Sequence, residues 1–517
     1  MSNAALNKTS MSRLMVTVSS LLLASCSLAP DLVMPDTQTP TAFKEATKPS
    51  GKDEKITDGA WKSAATNAVA GGEWWVLFND KKLNELISIA KQQSPTLEAA
   101  AQRLAQARAR AGVSESILFP RLDIGAGPTI GQPSAISTGA PHGTVPSTQY
   151  RYKAQGAVSY DLDLFGANRS ASSAADLTAL GEEANYRAAI LSLEADVAQA
   201  YYALRALDRE QEILNTTQKL RAETRDLTKR SLKIGDVSEL DVARAESELS
   251  ATKAEVLAVA KRRAEAEHNL AILLGKPPAS INMTKNAIGG VPPAVPAGLP
   301  SALLERRPDI QVAQKKMAAA NEAIGVARAA FFPVLNLTVA GGFESGQLGQ
   351  LFDWSSRTWL LGPLVGTIAT LPVFDAGKNF SNLALSKAQF QEAVANYRQS
   401  VLVAFREVED QLSGLRYLKG QADAQAENVR AARKAFSISK TRYVNGYISY
   451  LDFIDAQRSL LAAERAEVQV LGGRYVATVQ LIRALGGSWT GNVDSNPVIA
   501  PLQQSGQQAD STSKSGE

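Results

Sequence analysis

The chain has 517 residues, of which 45% are hydrophobic and 21% charged, so it is long and apolar enough to bury a large core. Its 55 Lys and Arg residues nearly balance 51 Asp and Glu residues, and the two signs are interleaved, which argues against a nucleic-acid partner. One cysteine and two histidines exclude an intrachain disulfide framework and leave too little for a Cys/His zinc site.

Residues 1–25 have the three parts of a secretory signal peptide. Lys8 and Arg13 precede an apolar run over 14–23, which is too short for an ordinary transmembrane helix. The sequence Leu-Ala-Ser then leads into Cys26, the sole cysteine, and this ending resembles a bacterial lipobox. We therefore expect cleavage before Cys26 and a lipid anchor on its thiol; plain secretory cleavage, or a buried thiol, is the alternative.

Residues 26–72 are the predicted lipid-anchored leader. Ser27 follows the anchor, and lipoproteins without Asp at this position resemble those sent to the outer membrane. Four prolines favour an extended chain that lies over the folded body, namely Pro30, Pro35, Pro40 and Pro49.

An internal repeat organises the rest of the chain, with two copies offset by about 211 residues. The sequence GDVSELD at 235–241 matches GYISYLD at 446–452, and Phe119-Pro120 matches Phe332-Pro333. The predicted segments are a first repeat over 73–280, a Pro/Gly-rich linker over 281–300, a second repeat over 301–490 and a polar tail over 491–517.

Each repeat is predicted to contain one very long helix, followed by a short turn and another long helix. Residues 168–233 and 378–445 lack proline and carry apolar residues at helical spacing. A helix of about 65 residues extends roughly 100 Å, longer than a compact domain, and must pack on neighbours as a coiled coil. A solvated structural rod is the alternative explanation of these two segments.

Four shorter segments favour membrane strands. Residues 150–163 alternate apolar or aromatic with polar side chains, residues 122–126 and 335–341 do so more weakly, and 358–374 carry no charge. Prolines and glycines in 358–374 argue against a transmembrane helix there. Four strands cannot close a barrel, and open sheet edges are not tolerated in lipid, so several chains must complete one barrel.

Several motifs together resemble the TolC/OprM outer-membrane factors over residues 27–490. They are the lipobox at Cys26, Trp74-Trp75 with Phe78, DLDLFG at 161–166, RRPDI at 306–310, LPVFDAG at 371–377 and LDFIDAQ at 451–457. The resemblance implies a mainly α fold with a membrane β-barrel. Three chains would form a homotrimer, with a 12-strand β-barrel, four strands per chain, continued by a 12-helix periplasmic α-barrel.

The same resemblance implies the exit duct of a tripartite efflux system in the outer membrane. Its expected partners are outer-membrane lipid, a periplasmic adaptor (membrane fusion protein) and an inner-membrane transporter of the resistance-nodulation-division type. It implies no enzymatic activity and no cofactor. A duct for type I protein secretion and a non-conducting periplasmic tether are alternatives, and the amphipathic strands disfavour the tether.

The resemblance also places a gate at the periplasmic tip of the helices. Tyr443, Asp452 and Asp455 match the positions that close this tip in the family. The two aspartates are three residues apart and share one helix face. In a trimer each would contribute a ring of three carboxylates that favours cations. The alternative is that one or both aspartates simply face water or a neighbouring arginine.

The latch partners and the docking turns complete the predicted site. Ile448 replaces an arginine of the closing link in TolC, and Arg442 and Asp241 are the possible latch partners. Glycines terminate the long helices through positive φ. The adaptor-facing turn residues implied by the resemblance are Gly235, Val237, Ser238, Gly446, Ile448 and Ser449.

Overall fold

The computed structural model describes residues 27–37, 39–46, 72–136, 139, 141, 143–295, 302–361 and 369–487. The predicted anchor Cys26, the predicted tail over 491–517 and part of the predicted fourth strand lie outside this set. Helix dominates the described part, as predicted, and a sheet accompanies it. Among the described residues, no helix combines the length and apolarity that crossing a bilayer requires.

The long helices of the two halves of the chain are equal in length. After a 3-10 turn at Trp74–Phe78, the first half comprises α1 (Lys81–Gln93), α2 (Pro95–Ser116), β1 (Arg121–Gly131), β2 (Gln149–Leu162), α3 (Ala167–Lys233) and α4 (Glu239–Leu273). The second comprises α5 (Ala302–Arg306), α6 (Pro308–Ala329), β3 (Val334–Ser345), β4 (Arg357–Leu361), β5 (Ala369–Thr370), α7 (Lys378–Val444) and α8 (Tyr450–Ala484). Helices α3 and α7 have 67 residues each, and α4 and α8 have 35 each.

The strands form one antiparallel sheet in the order β1-β2-β3-β4, with β5 also paired to β3. The register places Gly127 opposite Lys153 and Lys153 opposite Glu344, so polar residues and glycines share one face. The other face carries Leu122, Ile124, Tyr150, Tyr152, Val158, Leu337, Val339, Phe343 and Trp359. The sheet therefore has one polar and one apolar face.

An aromatic and ionic belt joins the long helices to the segment that follows α4. Tyr202 stacks on Tyr475 with ring centroids 4.4 Å apart, which packs α3 against α8. The buried Asp208 accepts from Arg205 at 2.7 Å, from Arg263 at 2.8 Å and from the main-chain N–H of Asn286 at 3.0 Å. The buried carboxylate of Asp208 is thus bonded to two arginines and one main-chain N–H. These bonds hold the segment that follows α4 against α3 and α4.

The described part of the leader lies along the body. Arg328 donates to the Leu28 carbonyl at 3.0 Å, and Asn321 donates to the Pro30 carbonyl at 2.6 Å. Further along, the Glu409 carboxylate accepts the main-chain N–H groups of Lys44 at 2.7 Å and Glu45 at 2.9 Å. Phe43 is buried among apolar side chains that include Val408, Leu481 and Leu485.

Candidate gate at the helix-hairpin turns

The turns that join the long helices have the same local construction. Gly235 and Gly446 adopt φ values of 83° and 74°, in the left-handed region that favours glycine. Each turn ends in a capping box, in which the side chains of a serine and of the aspartate three residues later cap each other's main-chain N–H. Ser238 pairs in this way with Asp241, and Ser449 with Asp452.

Asp452 therefore has a local structural task besides its predicted role in the gate. Its Oδ2 accepts the Ser449 hydroxyl at 2.7 Å and the Ser449 N–H at 3.3 Å. Asp241 holds Ser238 through equivalent bonds of 2.8 and 3.3 Å, and it also lies 3.6 Å from Arg244. The residue Asp452 is nevertheless exposed, so its charge remains available to the solvent.

Asp455 lies one turn further along α8 and its side chain is 61% exposed. Arg458 donates to it at 3.2 Å and also pairs with Glu248 of α4, with 2.9 Å between Nε and Oε1. The carboxylate of Asp455 therefore faces both solvent and a cation. Of the two predicted gate aspartates, only Asp455 has an arginine partner among the described residues.

Behind these charges lies a buried arginine that the sequence patterns did not single out. Arg221 of α3 donates to Thr252 at 2.6 Å and to Gln457 at 3.3 Å, and it pairs with Glu248 at 2.8 Å. Burial lowers the pKa of Arg221, and the charge of Glu248 counteracts this shift. Glu248 thus connects Arg221 with Arg458, which ties α3, α4 and α8 together near the turns.

Tyr443 links the two helical hairpins. Its ring stacks on Phe453 of α8, with centroids 4.9 Å apart and planes 3° from parallel. Its hydroxyl lies 3.1 Å from the hydroxyl of Thr228 on α3. Burial raises the pKa of Tyr443, which keeps the phenol neutral. The arrangement joins α7 to α3 by one neutral hydrogen bond.

The other predicted site residues fall into two groups. Val237 and Ile448 are half-buried, and Ile448 packs on the apolar cluster around Tyr450 and Phe453, whereas Ser238 and Ser449 are exposed. Arg442 is exposed, and its guanidinium makes no ion pair within the described part of the chain. Large apolar side chains are also exposed at and next to the two turns, namely Ile234, Leu240, Val444, Tyr447 and Leu451.

Sequence reasoning missed most of the contacts that hold the gate residues. Arg221, Glu248 and Thr228 lie more than two hundred positions from their partners in α7 and α8, at 236, 210 and 215 residues respectively. Periodicity indicates a helix face but not which distant side chain meets it. The capping role of Asp452 did leave a local signal, since Ser and an acidic residue at this spacing mark a helix start.

Comparison with known proteins agrees with this architecture. A family model described as outer membrane efflux protein matches residues 86–276 and 299–487. The probable efflux pump outer membrane protein TtgC of Pseudomonas putida is 34% identical over 480 residues, which are 92% of this chain and 96% of TtgC.

Solved structures show the same fold. The outer-membrane channel OprN superposes with a TM-score of 0.79 at 30% identity, over 90% of this chain and 100% of that one. The Campylobacter jejuni outer membrane channel CmeC superposes with a TM-score of 0.80 at 27% identity, over 89% and 95% of the two chains. The chain therefore belongs to the outer membrane efflux protein family, as an outer-membrane channel of an efflux system with its helices in the periplasm.

Proposed function

We propose that three copies of this chain form a passive, lipid-anchored exit channel that is gated at the turns between the long helices. The observation that carries the proposal is the sheet with one polar and one apolar face. Such a sheet, completed into a barrel by further copies, offers its apolar face to lipid and its polar face to a water-filled lumen. Cys26 supplies the anchor.

The gate opens by separating the second hairpin, α7 and α8, from the first. Within one chain, the bond between Tyr443 and Thr228, the pairing of Arg458 with Glu248 and the bond from the buried Arg221 to Gln457 oppose this movement. The neutral hydrogen bond contributes about 1 kcal/mol and each hydrogen bond to a charged group about 1.5–3 kcal/mol, so the latch amounts to a few kcal/mol, which the binding of a docking partner can offset. Asp452 and Asp455 place negative charge around the constriction.

A periplasmic adaptor is the proposed docking partner, and an inner-membrane transporter of the resistance-nodulation-division type supplies the cargo. The exposed apolar side chains of both turns, such as Leu240 and Tyr447, support a protein contact there. Relatives are named for toluene, antibiotic and cation efflux. We propose small molecules as the cargo of this channel, with its selection made by the transporter.

Single-channel conductance of the purified trimer in a planar bilayer tests the proposal. Asp455→Asn removes an exposed carboxylate that takes no part in a cap. Asp452→Asn removes a charge but leaves a side-chain oxygen that can accept the bond from Ser449. We expect a small, cation-favouring conductance in the wild type that grows, or loses its cation preference, in both variants.

The first hairpin provides the matched control. Asp241→Asn makes the same change in the equivalent capping box, at a residue that is itself a possible latch partner and whose charge acts on Tyr443. We expect it to change the conductance less than Asp452→Asn does, because the proposed ring of carboxylates belongs to the second hairpin. Inserted trimers that never conduct would refute the channel, whereas equal effects of Asp241→Asn and Asp452→Asn would refute the gate alone.

A further inference from the structure

The charges on the polar face of the sheet are divided between its two ends. Near the loop that joins β1 to β2, the β2 residues Arg151 and Lys153 share Glu344 of β3, with an Nη1–Oε1 distance of 2.7 Å and an Nζ–Oε2 distance of 3.2 Å. Two cations and one carboxylate leave one net positive charge in each chain. Gln149 also accepts from Arg151 at 3.2 Å, which directs the guanidinium along β2.

The opposite end of the same face, next to the helices, carries the opposite net charge. Arg121 and Asp123 pair with each other at 2.8 Å and cancel. Asp161 accepts from the amide of Asn336 at 2.5 Å and has no cationic partner among the described residues. Arg151 and Asp161 are separated along β2 by roughly 33 Å, well beyond the Debye length of about 10 Å in 0.1 M salt, so the ends do not neutralise each other.

Strand β1, which pairs with β2, does not cover Arg151 and Lys153 on the polar face. Gly127 lies directly across from Lys153, and Gly125 across from Gln155, so β1 presents no side chain on the polar face at these two positions. Arg151 and Lys153 remain 47% and 39% exposed on this face. The two cations are thus held by Glu344 but not covered by the sheet.

We infer that Arg151 and Lys153 form a cationic collar at the outer mouth of the channel, which sets the charge preference of its exit. The inference rests on the proposed function, because it requires the polar face to line a lumen. Three copies would place three net positive charges at the mouth and three negative charges at the periplasmic end of the barrel. The collar concentrates small anions, repels cations arriving from outside, and makes the current depend on voltage polarity.

The test is the current at equal and opposite voltages through the full-length trimer in symmetric 0.1 M KCl. Arg151→Gln with Lys153→Gln leaves Glu344 alone, which changes the net charge of the mouth from positive to negative. Glu344→Gln releases both cations from their carboxylate and makes the mouth more positive. We expect the ratio of the two currents to change by about twofold, in opposite directions for the two variants.

Controls separate this inference from the channel proposal. Arg357→Gln removes a cation from the apolar face at the same end, where Arg357 lies over the ring of Trp354, and should leave the ratio unchanged. In 1 M KCl, where the Debye length is about 3 Å, all differences should fade. The same comparison in the Asp455→Asn background shows the collar when the tip contributes less resistance.

The outcomes are distinct. Channels that conduct but show equal ratios in all variants and in both backgrounds, or shifts in the same direction for Glu344→Gln and the double variant, would overturn the collar. A wild-type trimer that inserts without conducting would overturn the proposed function instead. Because Glu344→Gln removes only one charge, it also tests the collar should the double variant fail to insert.

Discussion

Tyr450 places a phenol in the apolar cluster at the tip, where it is only 4% exposed. Burial, assisted by the negative charge of Glu248, raises the pKa of Tyr450 to about 12. In the unfolded chain this phenol ionises near pH 10. Keeping this phenol protonated in the folded chain contributes stability that is complete below about pH 10. The contribution is lost as the pH rises through about 12, because in this range the unfolded chain releases the proton more readily than the folded chain.

Replacement of Tyr450 by Phe should therefore weaken the alkaline loss of stability. Between pH 8 and pH 11.5 we expect the unfolding free energy of the wild type to fall by about 2 kcal/mol more than that of Tyr450→Phe. Thermal unfolding of both proteins at each pH measures this difference, as a larger fall of the midpoint temperature in the wild type. Tyr417→Phe is the control, since its ring is 68% exposed. Parallel pH curves for the wild type and Tyr450→Phe would contradict the expectation.

Residues at the gate also show how far sequence reasoning extends. The tyrosine and the two aspartates of the second hairpin do lie near its turn, because a motif next to a helix end specifies its own position. Their distant partners were not predictable, since Thr228, which bonds Tyr443, and Glu248, which shares Arg458 with Asp455, belong to helices of the first half of the chain. The charged collar was also missed, because alternation in β2 identifies a polar face but not the pairing of Lys153 with Glu344.

At the scale of elements, the long helices were the most predictable feature. Helix α3 begins one residue before the predicted position and ends at the predicted Lys233, because continuous periodicity without proline admits few other conformations. The fourth strand was less predictable. Of the described residues of 358–374, residues 358–361 belong to β4 and 369–370 to β5, whereas 371–374 lie in no strand, so the predicted extent was wrong there. An uncharged run has no alternation from which a register follows.

Among the described residues of the leader, only Phe43 is buried. Phe43 is 4% exposed against residues of α7 and α8, whereas Val33 is 77% exposed. We expect Phe43→Ala to lose roughly 3 kcal/mol of docking free energy, because the ring leaves its apolar site. Trypsin cleavage after the neighbouring Lys44 should accelerate strongly in Phe43→Ala and not in Val33→Ala. Equal cleavage rates would mean that Phe43 does not fasten the leader.

For the whole molecule, the two faces of the sheet should respond differently to an added charge. Val158 lies on the apolar face and Gln155 on the polar face of the same strand. We expect Val158→Lys to cost about 2–4 kcal/mol of insertion free energy, because the proposed lipid contact disfavours the ammonium group. Gln155→Lys should insert normally and alter ion preference instead.

Insertion is measured as the fraction of folded protein recovered in lipid vesicles at increasing urea concentration. Val158→Lys should need less urea than the wild type for half-maximal loss, and Gln155→Lys should match the wild type. If both lysines are tolerated equally, the apolar face does not contact lipid. If both are equally harmful, the polar face does not line water.

Most bonds between the body and the leader end on main-chain atoms of the leader. Arg328 and Asn321 donate to carbonyls, and Glu409 accepts two amide hydrogens. Every residue type except proline supplies both groups, so these contacts place little demand on side-chain identity. The leader can therefore change in sequence at these main-chain contacts while keeping its path. Comparison of homologues should find Phe43 varying together with its apolar site, and Glu45 with its partner Arg416.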